Sequence, residues 1–423
     1  MNERIRPFMV YGDGRGNIFE DTQSYATIRF GNEIRPVYLE EMIEIPEGTD
    51  FFELPGHYPV GSNSKGEIQV SQKGLAVSLF LPPAYTLEYL AAWKKTSNAP
   101  VLPLFAYAPV AWYNDKFYTC AIRIDSDIRQ DVEYFDHKKV KKGARAMLQR
   151  FPGNKLVKHV VENCALKYNC PAGRNFVLNR WEAPLPCSPT CNADCIGCIS
   201  YQDGNTSPIQ CTQPRLNFRP TAEDIAEMAV YHLSTASRPI VSFGQGCEGE
   251  PLMEWKTIEK AILLIRQKTN KGIINLNTNG SKPDAVSNLC RAGLNSIRIS
   301  MNSAQEQIYY AYHRPKNYTF GDVVSSLRIA IEAGIWTSIN YFTLAGFTDT
   351  EKEVEAICNL IEQYPINMIQ WRNFNIDADW LFNKANILPL TQTCIGVRKT
   401  MEIIKTKFPR IRYGYYNPYF LND

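Results

Sequence analysis

From Asn175 to about Asp377, short β-branched or apolar runs alternate with amphipathic stretches of helical period, a rhythm that few architectures accommodate. The runs that read as strands are Phe176–Trp181, Ile240–Gly244, Ile273–Asn277, Ser296–Met301, Thr337–Phe342 and Met368–Phe374. Between them, Ile225, Met228, Ala229 and His232 fall on one helical stripe, and Trp255, Ile258, Ile262 and Ile265 on another. Thr221 ahead of Asp224 and Ser281 ahead of Pro283 read as helix starts, Thr350 with Glu353 as a capping box, and Gly293 as a stop. An internal echo supports the repeat: Ala292-Gly293-Leu294 and Ala333-Gly334-Ile335 each lead from a helix into a strand. Units of this kind stack into a parallel sheet with helices on its outer face. Six of them predict an α/β fold, a partial (β/α)6 TIM-like barrel two strands short of the closed eight. Reactive groups in such a fold sit at the C-terminal ends of the strands, so the residues that follow each strand carry the functional information.

Residues 1–173 read differently. Runs rich in Tyr, Phe, Val and Ile are cut by the turn clusters Gly12-Asp13-Gly14 and Pro46-Glu47-Gly48. The apolar run Leu75–Leu81 stops at Pro82-Pro83, and Thr86–Trp93 reads as a short helix. The expected organisation is an N-terminal mixed α+β accessory domain over residues 1–173. The barrel with a C-terminal helical extension then occupies residues 174–423. A hydrophobic share of 44% with 21% charged residues excludes disorder or coiled coil over most of the length. The net charge of +3 is too small to argue for nucleic acid by itself. No apolar run approaches the ~18 residues of a membrane span. Met1-Asn2-Glu3-Arg4 opens no signal peptide, so the expected compartment is the cytoplasm, with no membrane partner.

In a reducing compartment, clustered cysteines point to metal rather than to disulfides. Of the twelve in this chain, Cys187, Cys191, Cys195 and Cys198 fall together soon after the first strand. Cys191, Cys195 and Cys198 have the spacing C-x3-C-x2-C, which lets each thiolate bind one iron of a cubane cluster and leaves the fourth iron open. An open metal position is where a cofactor or substrate can bind. Gly197 suits the sharp bend of such a loop. The alternative is a structural zinc site with Cys187 as fourth ligand, in a non-catalytic zinc-binding module. Zinc ribbons usually use two separated C-x2-C pairs, and this stretch has one. Cys164 and Cys170 match no strong motif; with Cys187 or Cys211 they would hold a second cluster or a zinc, and unliganded thiols are the favoured reading. Cys290, Cys358 and Cys394 read as small core residues.

The cysteine trio after the first strand of a six-unit barrel resembles the radical S-adenosylmethionine (radical SAM) superfamily, over about Phe176 to Asp377. Ile196 stands where members often carry an aromatic residue. The stretch Gly244-Gln245-Gly246-Cys247-Glu248-Gly249-Glu250-Pro251 is similar to the family's Gly-Gly-Glu-Pro loop, with Glu248 in place of a second glycine. The resemblance implies that Gly249, Glu250 and Pro251 meet the amino group of the cofactor's methionine portion. Asn279, in Asn277-Thr278-Asn279-Gly280, falls in the family's Thr-Asn-Gly turn. Ser300 and Asn302 fall where members contact the cofactor's carboxylate and ribose, and Asn340 where members often bind the ribose; simple capping and a satisfied core amide are the alternatives.

The implied cofactors are a 4Fe-4S cluster on Cys191, Cys195 and Cys198, and S-adenosyl-L-methionine. The implied partner is a flavodoxin- or ferredoxin-like one-electron reductant. The implied chemistry is reductive cleavage of the sulfonium to methionine and a 5′-deoxyadenosyl radical, which abstracts hydrogen from a metabolite, peptide or protein not identified by sequence. No acid–base pair is assigned. Arg372, Asn373 and Asp377, in a polar run flanked by Trp371 and Trp380, are the candidate substrate contacts, with a loop packed by its own aromatics as the alternative; His313-Arg314 is a weaker candidate. The run Lys138, Lys139, Lys141, Lys142, Arg145, Arg150, Lys155 and Lys158 contains no acid. It would suit an RNA-modifying member, against the favoured reading of a solvated helix face.

Overall fold

The structure, a computed structural model, describes residues 4–385 and 394–420. Its centre is a sheet of seven strands: β1 (Arg180–Pro184), β2 (Ser237–Phe243), β3 (Ile273–Thr278), β4 (Ser296–Met301), β5 (Trp336–Thr343), β6 (Met368–Asn373) and β7 (Arg412–Gly414). They lie in chain order, and every neighbouring pair is parallel. The connections are built from helices α1 (Ala222–Thr235), α2 (Trp255–Lys268), α3 (Pro283–Ala292), α4 (Glu306–His313), α5 (Phe320–Glu332), α6 (Glu351–Gln363), α7 (Ala378–Ala385) and α8 (Val397–Lys407). Parallel strands in sequential order, with helices in each crossover, curl into a half-barrel.

Local chemistry explains most boundaries. The Thr221 hydroxyl accepts from Asp224 N and the Asp224 carboxylate accepts from Thr221 N, a complete capping box at α1. On α2, Ile258, Ala261, Ile262 and Ile265 form the buried stripe. Gly293 ends α3 at φ 113°, where a side chain would be strained. The expected box at Thr350 does not form. Glu353 is fully buried and instead accepts from Ser303 Oγ, Ala304 N and Gln305 Nε2, so tertiary partners outcompete the local cap.

The first strand starts at Arg180 rather than Phe176. Phe176 belongs to a helix, Pro171–Val177, begun by Pro171 and closed against the core; a short apolar run does not by itself distinguish helix from strand. A seventh parallel strand, β7, lies in the segment assigned to a helical extension. The N-terminal region is mostly sheet rather than mixed α+β, with ten antiparallel strands in its main sheet. Thr86–Trp93 is not helical but is cut into Tyr85–Leu87, Leu90–Ala91 and the start of Trp93–Lys95; β-branched and aromatic residues favour that outcome. The helices of this region come at its end. Val140, Ala144 and Met147 on His137–Arg150 join the same apolar core as Val241 and Ile262, so packing continues across residue 173. The basic side chains of that helix stand on its exposed face, as an amphipathic helix on this core requires. Among the described residues, no helix is long and apolar enough to cross a membrane.

The N-terminal sheet docks beside the C-terminal end of β6. Thr86 Oγ1 donates to Trp371 O, while the Asn373 amide accepts from Leu87 N and donates to Tyr85 O. Arg398 forms a two-pronged ion pair with Glu88 at 2.7 Å. Gly31 N donates to Ala345 O, and a Cβ on Gly346 would lie 1.8 Å from Gly31 N. Asp377, fully buried, accepts from Lys95 Nζ at 3.0 Å, from Leu102 N and from Asp379 N. Asp377→Ala is expected to cost on the order of 2 kcal/mol, because it leaves the buried N–H of Leu102 without a partner, while Lys95 keeps its ion pair with Asp379. A lower denaturant midpoint checks this; an unchanged midpoint would contradict the joint described here.

Candidate functional site

The C-terminal ends of the strands surround a cavity of about 320 Å³. Cys191, Cys195 and Cys198 all line it, on the loop that follows β1. Four neighbours fix this loop. Ile196 N donates to Tyr312 O and Asp194 N to His313 O; Asn192 donates to Ser281 Oγ and accepts from the Asn279 amide. Gly197 meets Tyr312 so closely that a Cβ would lie 3.0 Å from its hydroxyl oxygen.

The thiols sit in a largely desolvated setting. Burial pushes Cys191 up to about 11, with Glu250 adding to the effect, and pushes Cys195 well above the ordinary thiol range. Arg215 Nη2 lies 3.6 Å from Cys198 Sγ, and His313 Nδ1 lies 3.4 Å from Cys195 Sγ. Burial holds His313 down at about 3, so it stands as a neutral imidazole. Thiols that burial keeps protonated become thiolates when a metal takes the place of the protons. The donor set therefore fits an iron–sulfur cluster.

The loop after β2 forms the second wall. Glu248 is buried beneath it and accepts four backbone N–H bonds: from Gly244 and Gln245 on one oxygen, and from Cys187 and Ser188 on the other. Burial pushes this carboxyl up to about 7, against those N–H groups, which pull it down. The Cys187 thiol also faces Glu248 and does not line the cavity. Glu250 accepts from Leu252 N, Asn279 N and Thr278 Oγ1, so it ties the β2 and β3 loops together. Burial pushes Glu250 up, with Thr278 the largest opposing influence. Gly249 packs on the cysteine loop, where a Cβ would lie 2.0 Å from Thr190 O.

Gly249, Glu250, Pro251, Asn279, Ser300 and Asn340, all singled out by sequence, line the cavity with the three cysteines. Asn302 does not; it is buried beside the end of β4. Asn340 Oδ1 is buried, faces the cavity and has no partner among the described residues, which leaves an acceptor for a ligand hydroxyl. Of the candidate substrate contacts, Arg372 and Asn373 line the cavity, though the Asn373 amide is spent on the N-terminal sheet. Asp377 does not reach the cavity, because it is held by Lys95.

Sequence reading missed Arg298, a cavity-lining guanidinium that burial and the nearby Arg372 push down to about 9. The signal was the alternation Ser296-Ile297-Arg298-Ile299-Ser300, which puts the polar residues on one face of β4. Arg215 was also missed; it lies in an irregular stretch with no period to expose it.

A thiol trio facing a carboxylate-lined cavity at the mouth of a curled parallel half-barrel is the arrangement of a cofactor-dependent iron–sulfur enzyme. Residues 185–361 match the family model described as the Radical SAM superfamily, so this part of the chain is a radical SAM domain. Its cofactors are accordingly a 4Fe-4S cluster and S-adenosyl-L-methionine. No curated protein matches the chain.

Solved structures with similar folds include a radical SAM methyltransferase from Sphaerobacter thermophilus, 13% identical with a TM-score of 0.35, covering 55% of this chain and 65% of that one. The [FeFe]-hydrogenase maturase HydG from Carboxydothermus hydrogenoformans is 15% identical with a TM-score of 0.39, over 68% of this chain and 71% of that one. SuiB of Streptococcus suis, bound to S-adenosylmethionine, is 12% identical with a TM-score of 0.39, over 64% and 60%. The chain thus spans just under two thirds of the length of the methyltransferase. At these scores the assignment rests on the family match alone.

Glu248→Gln is expected to lose at least about 2 kcal/mol of stability despite its matching shape, since its NH2 group would face two buried N–H donors. Thermal unfolding of the purified variant checks this; unchanged stability would show that the carboxylate is not the staple of the loop.

Proposed function

We propose that Cys191, Cys195 and Cys198 hold the 4Fe-4S cluster, and that the adjoining cavity binds S-adenosyl-L-methionine. The observation that carries this reading is the convergence of three half-buried thiols and the buried Glu250 on one cavity at the strand ends. When bound and reduced, the pair supplies a one-electron cleavage that starts hydrogen abstraction from a substrate.

The chain's own residues do the positioning. Glu250 has acceptor capacity left beyond its three protein donors, and this suits an ammonium group. Arg298 and Arg372 give the cavity a cationic side that suits a carboxylate, while Ser300 and Asn340 offer partners for hydroxyls. Tyr312 packs edge to face against Phe342 and Phe374, which are tilted against each other, and the three line the wall and exclude water. The substrate, a metabolite, peptide or protein, enters from the mouth where the N-terminal sheet is docked. The reductant is a flavodoxin- or ferredoxin-like protein, in the cytoplasm.

Anaerobic reconstitution, dithionite reduction with S-adenosylmethionine and chromatography for 5′-deoxyadenosine test the reading. Cys191→Ala, Cys195→Ala and Cys198→Ala are each expected to reduce bound iron and 5′-deoxyadenosine to background. Product formation that survives all three replacements overturns the assignment. Glu250→Gln is expected to keep its iron and weaken S-adenosylmethionine binding by about tenfold or more, the equivalent of one charge-assisted hydrogen bond. Equilibrium binding to the reconstituted protein measures it.

A further inference from the structure

Cys247 sits in the same loop as Glu250, between cavity-lining neighbours, yet does not line the cavity itself and is only 3% exposed. Its sulfur faces the opposite way and lies 3.1 Å from that of Cys164. Cys164 is buried in Val160–Lys167, a stretch wound wider than an α-helix, with Tyr168 N donating to Asn163 O five residues back. Such wide turns recur at functional sites. His159, at the end of the preceding helix Lys155–His159, completes a trio. One ligand atom from each of His159, Cys164 and Cys247 lies within 4.8 Å of the others, and all three residues are buried.

The second independent observation is on the histidine. His159 Nε2 is buried and has no hydrogen-bond partner among the described residues. Its Nδ1 lies 3.2 Å from the Asn163 side-chain amide. With that amide turned over, its oxygen accepts from Nδ1–H and leaves the Nε2 lone pair free, the usual support of a metal-binding imidazole. Further thiols are close. Burial pushes the Tyr168 hydroxyl up, with Cys164, Cys247 and Cys211 adding to it; Cys170 is pushed up to about 11 by burial, with Cys247 contributing. The surroundings are tight: a Cβ on Gly173 would lie 2.9 Å from that of Cys164, and Leu216 N donates to Cys247 O.

We propose that Cys164, Cys247 and His159 bind one divalent metal ion of the zinc class, distinct from the iron–sulfur site, with Cys170, Cys211 or a water as fourth ligand. Two sulfurs and an imidazole nitrogen are a zinc donor set. A tetrahedral ion with metal–sulfur bonds of about 2.3 Å holds two sulfurs about 3.8 Å apart, so the observed pair opens by less than an ångström on binding. The two thiols release their protons as the ion enters. A disulfide instead requires closure to about 2.0 Å and gives the buried imidazole no role. A cubane cluster spreads its thiolates over separate irons, which does not suit a pair in contact. The ion would pin the back of the loop that carries Glu250 to the helices preceding the barrel.

The test uses the full chain, purified without oxygen and analysed for zinc and iron. About one zinc per chain is expected beside the iron of the cluster. His159→Gln and Cys164→Ser are each expected to lose the zinc and keep the iron, whereas Cys191→Ala loses iron and keeps zinc, so the two sites fail separately. A measurement on the unaltered sequence covers the case of misfolded variants. Protein stripped of zinc and titrated with Co²⁺ should develop the charge-transfer and visible bands of a tetrahedral cobalt thiolate. Failure of the unaltered chain to bind either Zn²⁺ or Co²⁺ overturns the proposal. So does loss of iron and sulfide, rather than zinc, on replacing Cys164, or a Cys164–Cys247 disulfide in the purified protein.

Discussion

Two buried carboxylates, one residue apart from each other, fasten the mouth of this barrel. Glu248 gathers N–H groups from the loops after β1 and β2, and Glu250 gathers donors from the loops after β2 and β3. Among the described residues neither has a contacting cation, so each depends on several donors at once to offset its desolvation. The cysteine loop is shaped by this arrangement: Gly249 N and Glu250 N donate to Ser188 O and Thr190 O, which sets where Cys191 begins. The shape of the cavity mouth rests on N–H groups held by acids, and an error in either acid propagates to two of the three loops.

The same economy fills the concave side of the sheet. Glu182 accepts from Ser242, Gln245 and Asn417; Asn275 links Ser242 to Asn277; Gln370 donates to Asn417 and accepts from Arg298. These strands were legible from their apolar faces, since Val241, Ile274, Ile297 and Ile339 all turn to the helices. Their polar faces alternate just as strictly, and this is why Arg298 was present in the pattern but not recognised as part of the site. A periodic signal says that a residue faces inward; only the closed sheet shows what it faces.

The residues that line the cavity were largely readable because they lie in short, local motifs: a cysteine spacing, a Gly/Glu loop and strand-end polar residues. What was not readable depends on distant chain. The polar run at Arg372–Asp379 read as substrate contacts, yet Asn373, Asp377 and Asp379 are taken up by Tyr85, Leu87, Lys95 and Arg29 of the N-terminal region, partners with no sequence proximity. Glu353 likewise has the spacing of a cap and is claimed by Ser303 and Gln305 of the neighbouring loop after β4. Cys164 and Cys247, 83 positions apart, carry no joint signature until the fold brings their sulfurs together.

The backbone contact between Gly31 and Gly346 leaves no room for even a methyl group, so the accessory sheet cannot slide over the segment that follows β5. The two halves of the molecule therefore behave as matched castings rather than interchangeable modules. A chimera that exchanged the first half for that of a relative would have to bring its own complementary bare-backbone seam, or the entrance to the reaction chamber would be rebuilt along with it.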